Sequence, residues 1–411
     1  MKKLSSKELL FVKNLFFTTI LGGIIGILNY LFNIFVARYT DQNIFSIFSS
    51  ALGIIYLLQI PAVAIQAFVT KIVANEKEKD LNRFKWYSFI VFALIGIVFS
   101  TIFFLSKNSV ANLANIPVET VLFLALTFLF AFITPVPKGL LLGLEKIKTV
   151  NLILLFETIL RFAMGALAIR LGGSISILIL ANSLPAMLTT IFIVPFVKFK
   201  KENKEKIKID FKELTLISIS FLLLTTPFTL PLILVNPSFR AEYGAVTLLG
   251  KLVYYASIIT ASVMFARVSN EKVEKGRKRS LIISLVLSVS IGLTLSLFFF
   301  LFKDFVVSMS VGEQYLAVSN YIAIYALCMT GFAATYMITN FFISKGEYQY
   351  LYILLLGTVL QIVSFVVRND TLDMVMQNQI VVYSVLTVLT FVSLLFNFKK
   401  INDERKKGEN N

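Results

Sequence analysis

Four charged side chains stand inside otherwise apolar runs: Lys138 in FITPVPKGLLLGLEK, Glu157 and Arg161 in LILLFETILRFAMG, and Lys251 in GAVTLLGKLVYY. A charge at the centre of a membrane helix costs roughly 2.5–3.5 kcal/mol on insertion scales, so each of these needs a cavity or a counter-charge. Glu157 and Arg161 stand four residues apart and share a helix face, where they can form an ion pair. Lys138 sits near one end of its run and Lys251 in the outer half of its own, so their long stems also allow snorkelling to the headgroups. Three cations against one anion leave a positive interior, which favours a phosphate or diphosphate and repels an organic cation. Arg161 is the leading phosphate contact, because its guanidinium presents a bidentate fork and keeps its charge when buried. Lys138 and Lys251 are weaker candidates, and Glu157, Asn29 and Asn33 complete the polar set that a substrate would meet.

Other chemistries are excluded by what the chain lacks. It contains no histidine, which removes imidazole from catalysis, metal binding and proton relay. Cys328 is the sole cysteine, so no disulfide forms and the thiol reads as a small buried hydrophobe. No catalytic residue, metal site or cofactor is expected. The connections between apolar runs are too short for a soluble catalytic domain, which argues against a membrane-embedded glycan polymerase or ligase.

The elements that position these charges are membrane helices. With 57% hydrophobic and 15% charged residues and a mean hydropathy of +0.83, the 411-residue chain is too apolar for a soluble domain. Windows of about 20 residues mark twelve spans, near 14–38, 44–72, 86–106, 119–143, 149–171, 174–197, 214–236, 243–267, 280–302, 317–343, 348–367 and 379–398. The first apolar run continues to about Val36 with no small-residue cleavage site, so it is expected to stay as a membrane helix. Thirty of the 39 basic residues fall in one alternating set of connections, while Arg38, Lys107, Arg170, Arg240, Lys303 and Arg368 are the basic residues of the other. By the positive-inside rule both termini face the cytoplasm of a cell membrane, and the net charge of +16 reflects topology and anionic lipid, not nucleic acid.

The longest basic connection lies at the midpoint. It divides the chain into a six-helix bundle at 1–200, a basic linker at 201–213, a second bundle at 214–398 and a tail at 399–411. Segments NIFSIFSSALGIIYLLQIPAVAIQAFVTKIVANE and EYGAVTLLGKLVYYASIITASVMFARVSNE align at an offset of about 200 residues, as in a parallel internal repeat. Pro61, Pro135, Pro137, Pro185, Pro195, Pro227 and Pro231 fall within spans and predict bends in helices 2, 4, 6 and 7. The expected fold class is therefore all-α, a polytopic membrane protein of about twelve helices in two six-helix bundles.

These residues also carry a family resemblance. The segment LNYLFNIFVARYTDQNIFSIFSSALGIIYLLQIPAVAIQAFVTKIVANE resembles the first two helices of polysaccharide-biosynthesis flippases, with its asparagines leading to Ala37-Arg38 and its Thr70-Lys71 end. The stretch GLLLGLEKIKTVNLILLFETILRFAMGALAI resembles their helix 4-to-5 turn, with Gly139, Gly143, Glu157 and Arg161 in the matching places. ARYTDQNIFS departs from the pattern by lacking the Leu-Gly-Pro and Tyr-Gly that follow the arginine in that family. The resemblance implies a member of the multidrug, oligosaccharidyl-lipid and polysaccharide exporter superfamily, with a MATE-like fold and alternating access. It further implies a lipid-linked oligosaccharide substrate carried on undecaprenyl diphosphate, contact with membrane lipids, and cooperation with polysaccharide polymerase and glycosyltransferase machinery. A cation-coupled multidrug or small-molecule exporter of the same fold is the alternative.

Overall fold

The computed structural model describes residues 6–75, 81–172, 174–194, 211–270, 274–345 and 347–409, and every regular element among them is a helix. Pro195, the basic run 198–210 and most of the 201–213 linker lie outside the described residues. Internal contacts divide the chain into two units, Met1–Thr225 and Thr226–Asn411.

The first unit holds α1 (Ser6–Tyr39), α2 (Gln42–Leu58), α3 (Ile60–Asn75), α4 (Leu81–Leu105), α5 (Lys107–Ala114), α6 (Val118–Ile133), α7 (Pro135–Gly143), α8 (Ile147–Arg170) and α9 (Ile175–Ile193). Two of the expected spans are broken helices. α2 opens where the Asp41 side chain accepts from the Ile44 amide at 2.8 Å, and it stops at Gln59 because the ring of Pro61 excludes the normal bond to the preceding turn. α6 stops at Thr134 for the same reason, and Pro135 and Pro137 occupy the first turn of α7, where a missing amide costs least. The other proline-bearing helices behave differently: α9 runs on through Pro185, and α10 (Phe211–Leu234) through Pro227 and Pro231.

Thr226–Asn411 contains the end of α10, α11 (Arg240–Asn270), α12 (Glu274–Leu301), α13 (Lys303–Met309), α14 (Ser319–Lys345), α15 (Tyr350–Val367) and α16 (Leu372–Glu409). Among the described residues ten helices are long and apolar enough to cross a membrane, and α10 and α11 form a further pair bent by 102°. At 24 and 31 residues each of that pair is itself longer than the ~30 Å a hydrocarbon core requires, so all twelve expected runs have a helix. Within the tail expected at 399–411, α16 continues to Glu409.

Within each unit the helices pack in the same order. α8 packs on α9, α9 on α6, and α6 on α4; likewise α15 packs on α16, α16 on α14, and α14 on α12. The short helices α5 and α13, which composition does not announce, fall at matching points after α4 and α12. Outward faces are apolar, as lipid contact requires: α4 exposes Leu94, Ile97, Val98 and Ile102.

The broken span α6–α7 is locked to α3 by two glycines. A Cβ on Gly139 would stand 2.9 Å from the Gln66 carbonyl oxygen, and one on Gly143 only 2.5 Å from the Val73 Cβ. Small residues four apart let the backbones meet, and Thr70 Oγ1 donates to the Gly139 carbonyl at 3.3 Å. We expect Gly143→Ala to lose about 1–3 kcal/mol of stability by overpacking, read as a lower melting temperature in detergent. Gly22→Ala, whose Cβ would meet nothing within 4 Å, is expected to leave melting unchanged.

Candidate functional site

Polar side chains of the first unit converge where its two broken spans meet α8 and α9. Gln59 sits at the α2–α3 break, Thr134 and Pro135 at the α6–α7 break, and all three line a cavity of about 220 Å³ with Lys138, Glu157, Arg161 and Asn182. Broken helices at membrane depth need polar partners for their freed backbone groups, and a cavity wall is where such breaks are tolerated.

The Glu157–Arg161 pair expected from their spacing does not form. Lys138 Nζ takes Glu157 Oε2 at 2.8 Å, and the Thr189 hydroxyl donates to the other carboxylate oxygen. The broken span causes the exchange: α7 restarts at Pro135 and carries Lys138 inward against α8, a partner that i, i+4 arithmetic along α8 cannot reveal. Lys138 and Glu157 are 6% and 8% exposed, so the lysine does not snorkel. Thr190 Oγ1 donates to Thr134 Oγ1 at 2.9 Å, which ties α9 to the break itself.

Arg161 turns to amides instead. Its Nη1 donates to Asn29 Oδ1 at 2.7 Å and its Nη2 to the Asn182 carbonyl at 3.3 Å, while Nε is buried with no hydrogen-bond partner among the described residues. Two of five guanidinium donors are thus committed and the rest remain. Asn29 Nδ2 donates to Thr158 Oγ1 at 3.4 Å, and Asn33 Nδ2 to the Asn29 carbonyl at 3.2 Å. Asn29 therefore orients Arg161 from α1, Asn33 bonds only the main chain one turn back, and neither asparagine lines the cavity.

Lys251 belongs to the second unit. It is 4% exposed, with Nζ 5.3 Å from the centroid of the Phe228 ring, so it too does not snorkel. Three of the four in-span charges line this cavity, where Lys138 and Glu157 cancel and Arg161 leaves a single positive charge.

A separate polar cluster fixes α10 in that unit. Pro231 has no amide for the Pro227 carbonyl, and Gln379 Nε2 at 3.0 Å and Tyr383 OH at 3.2 Å replace it. Arg240, counted above with the outer basic residues, is 1% exposed; its Nη2 caps the Ile233 and Val235 carbonyls at 3.0 and 2.9 Å, closing the end of α10.

Sequence reasoning missed Thr189, Thr190, Asn182, Gln59 and Gln66. A signal existed in LANSLPAMLTT, where four polar residues flank Pro185 inside an apolar span.

This arrangement of helices shares its fold with solved transporters of the MOP superfamily. A multidrug resistance MATE-family transporter of that superfamily, in an inward-facing conformation, superposes with a TM-score of 0.72 at 15% identity, covering 93% of this chain and 96% of the other. The lipid II flippase MurJ, inward closed, gives 0.73 at 11% identity over 92% and 87%. A MOP-superfamily transporter from Pyrococcus furiosus, described as having a binding pocket of reverse polarity, gives 0.65 at 15% over 95% and 96%. No curated protein sequence matches the chain. The chain belongs to the family described as polysaccharide biosynthesis protein, which matches residues 11–234.

The buried pair yields a stability test. Lys138→Ala strands Glu157 and is expected to cost about 3–5 kcal/mol, whereas Lys138→Met combined with Glu157→Gln recovers most of that loss. Melting temperatures of the three purified proteins check it.

Proposed function

We propose that this protein is a flippase that moves an undecaprenyl-diphosphate-linked oligosaccharide from the cytoplasmic to the outer leaflet of the cell membrane by alternating access. Family membership and the fold support the class. The observation that carries the substrate is the charge state of the cavity: among the described residues its one carboxylate is engaged by Lys138 and Thr189, so Arg161 is left as a net cation whose buried Nε–H has no partner among them. Such a group selects an anion, and a guanidinium fork suits a phosphate oxygen pair.

In this reading the diphosphate docks on Arg161, held in place by Asn29, while the polyprenyl tail stays in lipid and the sugar lies in the polar cavity. The 1–200 and 214–398 bundles are the bodies whose rearrangement exposes the ligand to the other side, with both termini cytoplasmic. Lys138 acts through Glu157 and leaves the ligand to Arg161. A multidrug exporter for organic cations would need a free carboxylate where this cavity has a neutralised one.

Thermal stabilisation of the purified protein tests this. Undecaprenyl diphosphate carrying a sugar is expected to raise the melting temperature and a lipophilic cation to leave it unchanged, with the lipid's effect lost in Arg161→Ala and weakened in Arg161→Lys. Stabilisation by the cation and not by the lipid would reverse the assignment.

A further inference from the structure

The cavity holds two side chains that the anion on Arg161 does not explain. Gln59 and Gln66 both line it, and among the described residues neither side-chain amide has a hydrogen-bond partner. Every other polar wall group is engaged in some way: Lys138 with Glu157, Thr134 with Thr190, the Asn182 amide with the Leu178 carbonyl at 3.2 Å, and the Ser183 hydroxyl with the Leu180 carbonyl at 3.4 Å. Both glutamines are half-buried, so their amides are open to whatever fills the cavity. They are also neutral, with both donors and an acceptor, so they add little attraction for a diphosphate but match groups that donate and accept at once.

Phe130 supplies the third component: it lines the same cavity as the two amides and Arg161, and adds an aromatic side chain to its wall. Hydroxyls and acetamido groups at the rim of a pyranose, and C–H bonds on its faces, are the chemistry that two free amides beside an aromatic ring accept. The dimensions agree. At about 220 Å³ the cavity is smaller than the roughly 300–1,000 Å³ of ordinary small-molecule pockets, so it admits one part of a large ligand and not a whole glycan.

We infer that Gln59 and Gln66 are specificity-determining residues, which read the hydroxyl and acetamido groups of the sugar attached directly to the diphosphate. This rests on the flippase reading above, but it adds that the cavity distinguishes sugar-bearing lipid from bare lipid diphosphate. The sugars farther along the chain lie beyond the reach of this cavity and go unread by it. Gln59 stands at the α2–α3 break and Gln66 within α3, so both readers ride on the segment that the two glycines of α7 hold in place.

The experiment measures Kd of the full-length protein in detergent for undecaprenyl diphosphate bare, with one N-acetylhexosamine, and with one hexose. Wild type is expected to prefer at least one sugar-bearing lipid over the bare one. Gln59→Leu and Gln66→Leu are each expected to cut that preference by on the order of fivefold, the worth of one hydrogen bond, while leaving the Kd for bare diphosphate unchanged. Arg161→Ala is expected to weaken all three lipids alike. Gln59→Ala and Gln66→Ala replace either leucine variant whose unliganded melting temperature falls. If wild type binds all three lipids equally, or the preference survives both glutamine substitutions, this inference is overturned and the role of Arg161 stands. Failure of every lipid to bind wild type overturns both.

Discussion

A lysine buried among apolar helices needs a partner for its charge inside the protein, and the arrangement of the N-terminal unit follows from how Lys138 finds a carboxylate. Its partner, Glu157, is on another helix, so the pair at 2.8 Å joins α7 to α8 in the cavity wall. Thr189 brings α9 to the same carboxylate. Removing two opposite charges from water is favourable only when geometry is close and the spare lone pairs are met, and this site does both. With Glu157 committed, Arg161 stays cationic and turns to Asn29 and the Asn182 carbonyl.

That pairing depends on a chain break. Were α6 and α7 one straight helix, Lys138 would follow a different azimuth. The proline pair at 135 and 137 ends α6 at Thr134 and restarts the helix, and Gly139 and Gly143 let the restarted segment lie against α3. The second unit handles prolines by another route: α10 continues through Pro227 and Pro231, and side chains from α16 satisfy the carbonyl left without an amide. Proline removes a donor in both cases, and in α10 a neighbouring helix replaces it.

The candidate site was partly legible. Arg161, Glu157 and Lys138 stand out because a charge in an apolar run is expensive, and the structure brings them together in one cavity. Their pairing was not legible, because i, i+4 spacing reports neighbours on one helix and not across a break. Gln59, Gln66 and Asn182 were passed over for a different reason: a neutral amide barely changes the hydropathy of a window, and only the cavity shows which amides face inward. Lys251 illustrates the converse, since its unusual placement was plain but its neighbour, the Phe228 ring, lies on another helix.

The sequence by itself determined the all-helical membrane architecture, the twelve apolar runs, the proline positions and the residues whose charge must be explained. These follow from local quantities, namely hydropathy summed along a helix length, backbone geometry at proline, and the cost of a charge in hydrocarbon. Only the tertiary structure decided which spans break and which continue, that Glu157 belongs to Lys138, and that Arg161 is held by Asn29 from 132 residues away in the chain. Those outcomes depend on distances between helices remote in sequence, and a buried polar group takes whichever partner packing brings within hydrogen-bond reach.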